Sequence, residues 1–328
     1  SKAGSRIEPN WNFQDLAYEN CRKSLASEPG SKWGLIVPTG GGKTRIAIRV
    51  GLGILNDSPK THKTIVWVTH RKTLKKQAEN ELRRALRENS SGLPDASLNL
   101  FRDRFKFFMV QDRELGKYLE DNESDIGLLI IDEAHHAAAS SYGEIVENTS
   151  IPGLWLTATP NRTDNLPIGI DGIAYEITYA ELFDLGVIIK PKFETEGVPF
   201  VNWNNDAEIT DLAQYLLDRS EDEFTKTLVI TTKVDSTEKL FLAIQSELRE
   251  RDSHPLNADE IGYIHGEGNS RSSGVIKEDN EAFLSRNSHF DQGILISTQS
   301  YLGEGFDDPK INTVVVTYKT ESIIYLMQ

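Results

Sequence analysis

The sequence predicts an α/β protein of two domains, each a mainly parallel sheet covered by helices, and three observations carry that reading. Strand-length β-branched or aromatic runs alternate with helix-compatible segments, the pattern of parallel strands joined by helical crossovers. The alternation falls into two series separated by the Pro-punctuated passage Lys190 to Pro199. The chain has 328 residues, more than one hydrophobic core usually serves. The junction is placed near residues 187 to 200, giving domains at 1–190 and 191–328.

After an initial helix-like stretch, the first series has strands at Trp33 to Val37, Thr64 to Thr69, Phe105 to Val110, Asp125 to Asp132 and Gly153 to Thr159. Lys43 to Leu55 and Leu74 to Arg87 are the helix-compatible runs between them. The second series has strands at Thr227 to Thr232, Ile261 to His265, Gly293 to Thr298 and Thr313 to Val316, with Ser236 to Arg251 as a charged amphipathic helix.

Composition narrows the class. With 38% hydrophobic and 26% charged residues, the chain reads as globular rather than disordered. Its longest apolar stretches, such as Ile126 to Ile131 and Thr313 to Thr317, are too short to cross a bilayer, so no membrane association is expected. The N-terminus lacks an apolar signal-peptide core and the single cysteine, Cys21, has no intrachain partner. A reducing compartment follows, cytoplasmic or, in a eukaryote, nuclear. The net charge of -14 argues against avid, non-specific nucleic-acid binding. It does not exclude a local lining of phosphate donors.

The first chemical motif follows the first strand: Pro38-Thr39-Gly40-Gly41-Gly42-Lys43-Thr44, with a helix-compatible run beginning at Lys43. Consecutive glycines let backbone N–H groups approach phosphate oxygens, and the helix N-terminus adds its positive end. Lys43 is placed to reach the β- and γ-phosphates and the Thr44 hydroxyl to ligate Mg²⁺. Val37 stands where the general phosphate-loop pattern has its first glycine, which makes small GTPases and nucleotide kinases poor matches. The second motif is Asp132-Glu133 at the end of the apolar run Ile126 to Ile131. Asp132 is expected to hold Mg²⁺, and Glu133 to orient and deprotonate the water that attacks phosphorus. The neighbouring His135 and His136 have no Cys or second His pair at ligand spacing, so zinc is not expected.

These motifs carry a resemblance. Pro-Thr-Gly-Gly-Gly-Lys-Thr is similar to motif I of superfamily 2 helicases, Asp132-Glu133-Ala134-His135 spells the DEAH form of motif II, and Thr157-Ala158-Thr159-Pro160 looks like motif III. Thr69-His70-Arg71 resembles motif Ia, and Ile296 to Pro309, with Gly303-Glu304-Gly305-Phe306-Asp307, resembles motif V. Order and spacing agree over nearly the whole chain, which resembles the DEAH-type motor core of DNA repair helicases and of type I and III restriction enzymes. The resemblance implies two tandem RecA-like domains, the second incomplete, with ATP and Mg²⁺ as cofactors. It implies adenine contact by Gln14 and nucleotide contacts by Thr39, Gly40, Gly41, Gly42, Lys43, Thr44, Gly305 and Asp307. His135, Thr157 and Thr159 would couple hydrolysis to the track. Thr69, Arg71, Thr231, Thr232 and Thr298 would face the nucleic-acid backbone, as phosphate tracking requires.

The resemblance further implies a DNA track, with RNA as the alternative. A third reading is an ATP-gated sensing module that does not translocate and works with protein partner subunits. The chain ends at Thr320 to Gln328, which resembles the approach to motif VI. In the family that motif continues with arginines that reach the γ-phosphate, so the sequence as given is expected to be truncated and to hydrolyse ATP poorly.

Overall fold

A computed structural model describes residues 8–57, 62–88, 95–133, 149–158, 169–188, 199, 201–271, 279–302, 306 and 308–318. The chain forms two compact units, Ser1–Pro191 and Lys192–Met327.

In the first unit the described elements are α1 (Phe13–Ser27), β1 (Lys32–Ile36), α2 (Lys43–Asp57), β2 (Thr64–Thr69), α3 (Lys72–Glu88), α4 (Asp95–Asp103), β3 (Phe105–Met109) and α5 (Leu115–Asn122). They continue with β4 (Ile126–Ile131), β5 (Gly153–Thr157), β6 (Gly172–Glu176) and α6 (Tyr179–Asp184). The strands form one sheet in the order β3-β2-β4-β5-β1-β6, and every pairing in it is parallel.

The alternation of side chains across this sheet is apolar on both faces. Ile65, Trp67, Leu128 and Ile130 pack on one face with residues of α2 and α3. Val66, Val68, Leu129 and Ile131 pack on the other with Leu115 and Leu119 of α5. A parallel sheet covered on both faces is the arrangement that continuous Ile/Leu/Val runs satisfy. Each fully buried Leu or Ile contributes roughly 1.5–3 kcal/mol of transfer free energy. The covered faces leave the strand ends and the loops that follow them as the places for chemistry.

The second unit contains α7 (Asp206–Ser220), β7 (Lys226–Thr231), α8 (Val234–Glu250), β8 (Ile261–His265), β9 (Gly268–Ser270), α9 (Asn280–His289), β10 (Gly293–Thr298) and β11 (Thr313–Val316). Its sheet has the order β11-β7-β10-β8-β9. All pairings are parallel except β8 with β9, which is antiparallel. One face packs on α7 and α8 through Val229, Ile294 and Ile296. The other packs on Phe283 of α9 through Leu228, Ile264 and Leu295. The α/β class and the mainly parallel sheets are those expected from the sequence.

Seven of the described helices and strands were not anticipated as such. The strand β6 reads weakly because it lies at a sheet edge and buries none of its five residues. The helix α7 begins at the Asn205 cap, whose side chain accepts the Ala207 N–H at 3.1 Å. It buries Ile209, Leu212, Ala213, Leu216 and Leu217, a helical spacing. The others are α4, α5, α6, β9 and α9, and α9 has a similar Asp279 cap on the Ala282 N–H at 3.0 Å.

Candidate nucleotide site

The site grows from the C-terminal ends of β1 and β4. After Ile36 the chain passes through Val37 and Pro38 into the glycine loop, and Lys43 and Thr44 open α2. Gly40 and Gly42 adopt φ of +87° and +80°, a region that side chains with a Cβ enter only with strain. Space demands glycine as well. A Cβ on Gly40 would lie 2.9 Å from Ile188 Cγ2, and one on Gly41 2.4 Å from Val37 Cγ1. The Gly41 N–H donates to Pro38 O at 2.9 Å and the Ile46 N–H to Gly42 O at 3.1 Å, so the loop is held tightly against the first turn of α2.

At the end of β4, Asp132 and Glu133 are both buried. The Asp132 N–H donates to Val68 O at 2.9 Å and continues the ladder toward β2. Glu133 then turns sharply, with φ of 52°, the one positive value among the described non-glycine residues. Such a conformation costs about 1–3 kcal/mol and persists where surrounding structure enforces it. Its effect is to swing the Glu133 carboxylate to the Lys43 ammonium, with which it forms a direct ion pair. The Glu133 N–H donates to Asp132 Oδ1 at 3.0 Å. Burial pushes the Asp132 carboxyl up to about 6; the Lys43 charge opposes that rise and the Glu133 charge adds to it.

Gln14, on α1, is buried, and its Nε2 donates to Gly41 O at 3.1 Å. The structure therefore brings Gln14, Gly41, Gly42, Lys43, Asp132 and Glu133 into one locus. Thr39 and Gly40 are exposed and Thr44 is half-buried.

The other residues singled out from the sequence divide three ways. Arg71 is half-buried and Thr232 exposed. Thr69, Thr231 and Thr298 are buried, and the Thr231 hydroxyl shares a hydrogen bond of 2.5 Å with Thr237. Thr69, Thr231 and Thr298 each end a strand with a neighbour on both sides, β2, β7 and β10. Thr157 is buried at the end of β5, where its carbonyl accepts the Val37 N–H at 3.1 Å. His135, Thr159, Gly305 and Asp307 lie outside the described residues.

One part of the locus was not anticipated, the segment from Thr178 to Ile188. Thr178 and Glu181 form a reciprocal cap at the start of α6, and this Thr-x-x-Glu pattern is visible in the sequence. What α6 packs against is not. Leu182 Cδ1 would lie 3.1 Å from a Cβ on Gly41. Among the described residues no group of three or more His, Cys, Asp or Glu could hold a metal ion, and no helix is long and apolar enough to cross a membrane.

With this geometry in hand, likeness to known proteins is informative. Residues 11–162 match the family described as type III restriction enzyme, res subunit. Irc3 of Schizosaccharomyces pombe, named as a mitochondrial ATP-dependent helicase, is 28% identical over 54% of this chain and 30% of its own length. In fold, the chain is similar to the helicase MrfA bound to DNA and AMPPNP, with a TM-score of 0.60, 16% identity and coverage of 95% of this chain and 44% of that one. It is similar too to Mss116p bound to single-stranded RNA and AMP-PNP, with a TM-score of 0.58, 16% identity and coverage of 95% and 65%. The chain thus spans less than two thirds of the length of each of these proteins. The family match over residues 11–162 and the helicase relatives support a superfamily 2 helicase core.

Proposed function

We propose that this chain binds and hydrolyses ATP at the Gly40–Thr44 loop and couples hydrolysis to movement on, or opening of, DNA. The observation that carries the chemical half of the reading is the Lys43–Glu133 ion pair. It brings together, from positions ninety residues apart, a cation suited to β- and γ-phosphates and a carboxylate suited to orient water. Glu133 would accept a proton from water as its oxygen bonds to the γ-phosphorus and the bond to the ADP oxygen breaks. Lys43 would leave Glu133 for the phosphates, because one ammonium cannot neutralise both.

The residues present fit Mg²⁺. Asp132 is a buried carboxylate held above its ordinary range by burial, and a cation beside it would relieve that penalty. Mg²⁺ usually takes one or two carboxylates together with phosphate oxygens and water, which matches Asp132 with the Thr44 hydroxyl. When bound there, it would neutralise charge on the β- and γ-oxygens. Thr39, Gly40, Gly41, Gly42 and Thr44 would hold the phosphates and Gln14 the adenine. Arg71 and Thr232 would contact the nucleic-acid backbone, and Thr157 would couple the two sites. His135 and Thr159, with Gly305 and Asp307, take the roles that the motif series assigns them.

DNA is favoured over RNA by the form of the motifs and by the restriction-enzyme family that matches residues 11–162. Hydrolysis of ATP by the full-length protein, compared without nucleic acid and with single-stranded DNA, duplex DNA and RNA, tests the whole reading. Stimulation by one DNA form is the expected result. Stimulation by RNA alone would reassign the track, and a flat response in all four would remove the coupling to nucleic acid.

A further inference from the structure

The helix that carries Gln14 is fastened by a polar seam to the helix that opens at the glycine loop. On α1 its members are Asp15, Tyr18 and Arg22, spaced by three and then four residues, so they share one face. On α2 they are Arg49, Gly53 and Asp57, each four residues from the next. Arg49 Nη2 donates to Asp15 Oδ1 at 2.8 Å, and its guanidinium lies 5.1 Å from the centre of the Tyr18 ring. The Arg22 guanidinium lies 5.8 Å from the same ring, donates to the Tyr18 hydroxyl at 3.1 Å and pairs with Asp57. Gly53 leaves the room this needs: a Cβ there would collide with Arg22 Nη1 and stand 2.5 Å from the Tyr18 hydroxyl oxygen. Glycine weakens a helix interior, and here it is what lets the seam close.

The seam ends at the nucleotide site. Gln14, next to Asp15, is buried and donates from Nε2 to Gly41 O at 3.1 Å, and a Cβ on Gly42 would meet the same Nε2 at 2.4 Å. Where α1 sits along α2 therefore sets where this amide sits on the loop. We propose that Arg49 is a positioning residue for the nucleotide site: by holding Asp15 and Tyr18 it seats Gln14 on the glycine loop, and so sets a preference for adenine over guanine. This proposal rests on the adenine contact proposed above for Gln14. A primary amide has two N–H donors and an acceptor oxygen, so with one N–H on Gly41 O it still presents one donor and one acceptor. Adenine answers both with N7 and N6, whereas the same edge of guanine has acceptors alone. Hydrogen bonds weaken steeply with misalignment, so the discrimination depends on the seat. The Asp15 and Arg49 side chains are 67% and 32% exposed, and an ion pair so placed adds little to global stability. Ala17 and Cys21 keep α1 packed on the core without it.

The test measures affinities of the full-length protein for AMPPNP and GMPPNP, both with Mg²⁺, by titration calorimetry. The proteins are wild type, Arg49→Met, Arg49→Lys, Gln14→Ala and Lys43→Ala, and circular dichroism melts verify that the variants are folded. The expected result is a wild type that prefers AMPPNP and an Arg49→Met variant that binds it about fivefold more weakly. That is the size of one exposed ion pair and one cation–π contact together. GMPPNP affinity should stay within about twofold of wild type, and Arg49→Lys, which keeps a cation for Asp15 and Tyr18, should restore most of the preference. Unchanged AMPPNP affinity in Arg49→Met, an equal loss for both nucleotides, or no rescue by Arg49→Lys would each overturn the proposal. In those cases a wild-type preference that Gln14→Ala abolishes would keep the adenine contact. A wild type without preference would overturn the adenine contact and this proposal together, while binding that Lys43→Ala abolishes would still keep the phosphate site.

Discussion

Replacing Asp132 by Asn should stabilise the nucleotide-free protein, and the gain should depend on pH in one direction. An ordinary aspartate carboxyl sits near 3.8, whereas burial holds Asp132 up to about 6. The folded state therefore binds this proton more tightly than the unfolded state does. The wild type keeps its full stability contribution from this group below 3.8 and loses it progressively as pH rises through 6. At about 1.4 kcal/mol for each tenfold difference in proton affinity, the loss is roughly 3 kcal/mol once both states are ionised. Asn has no such loss and retains an acceptor for the Glu133 N–H, now bonded to Asp132 Oδ1 at 3.0 Å. For a unit of this size the gain should appear as about 6–12 °C in melting temperature at pH 8. It should shrink steadily as the pH is brought down toward 4. Melts of both proteins across that range, followed by the fluorescence of the buried Trp67 and Trp155, provide the assay. Parallel curves, with the same difference at pH 5 and pH 8, would refute the assignment of the penalty to Asp132.

Other perturbations test neighbouring pieces of the argument. Gly40→Ala places a side chain at φ of +87° and 2.9 Å from Ile188 Cγ2; a loss of about 1–2 kcal/mol by denaturant melt, with weakened nucleotide binding, is expected. Lys226→Met strands Asp308, which is buried and paired with the Lys226 ammonium at 2.7 Å, and should cost the second unit about 3–5 kcal/mol. The double variant Lys226→Met with Asp308→Leu should recover most of that in the same urea titration. Thr178→Ala removes the cap on the Glu181 N–H and should cost about 1 kcal/mol, read as faster amide hydrogen exchange confined to α6.

The central strands of both sheets were legible because burial on two faces leaves a local signature, a short unbroken run of Ile, Leu and Val. Edges and caps leave a weaker one. Thus β6, with no buried residue among its five, has no pattern to read, while α7 did carry a pattern in its Asn205 cap and its Ile209, Leu212 and Leu216 spacing. Within the site, Gln14, the glycines, Lys43 and the Asp132-Glu133 pair could be nominated because each belongs to a motif of fixed chemistry. The packing of α6 on the loop could not: it follows on β6 lying beside β1 and shows as Leu182 against Gly41, and no residue near Leu182 in the sequence encodes that neighbour.

The strand order also sets a timetable. The strand β1, which launches the phosphate loop, pairs with β5 at Lys32 and Gly153 and with β6 at Trp33 and Gly172, so neither neighbour exists until well over a hundred residues later. At about 5–20 residues per second, a ribosome needs roughly 6 to 24 seconds to supply the first of them. Throughout that interval β1 and its glycine loop have a backbone with no ladder on either side, while β2, β3 and β4 can already assemble among themselves. A nascent chain stalled before Gly153 would carry all of the loop's residues and neither of the strands that flank β1. It would also carry two open hydrogen-bonding edges on an apolar strand, the form of chain most prone to mispairing.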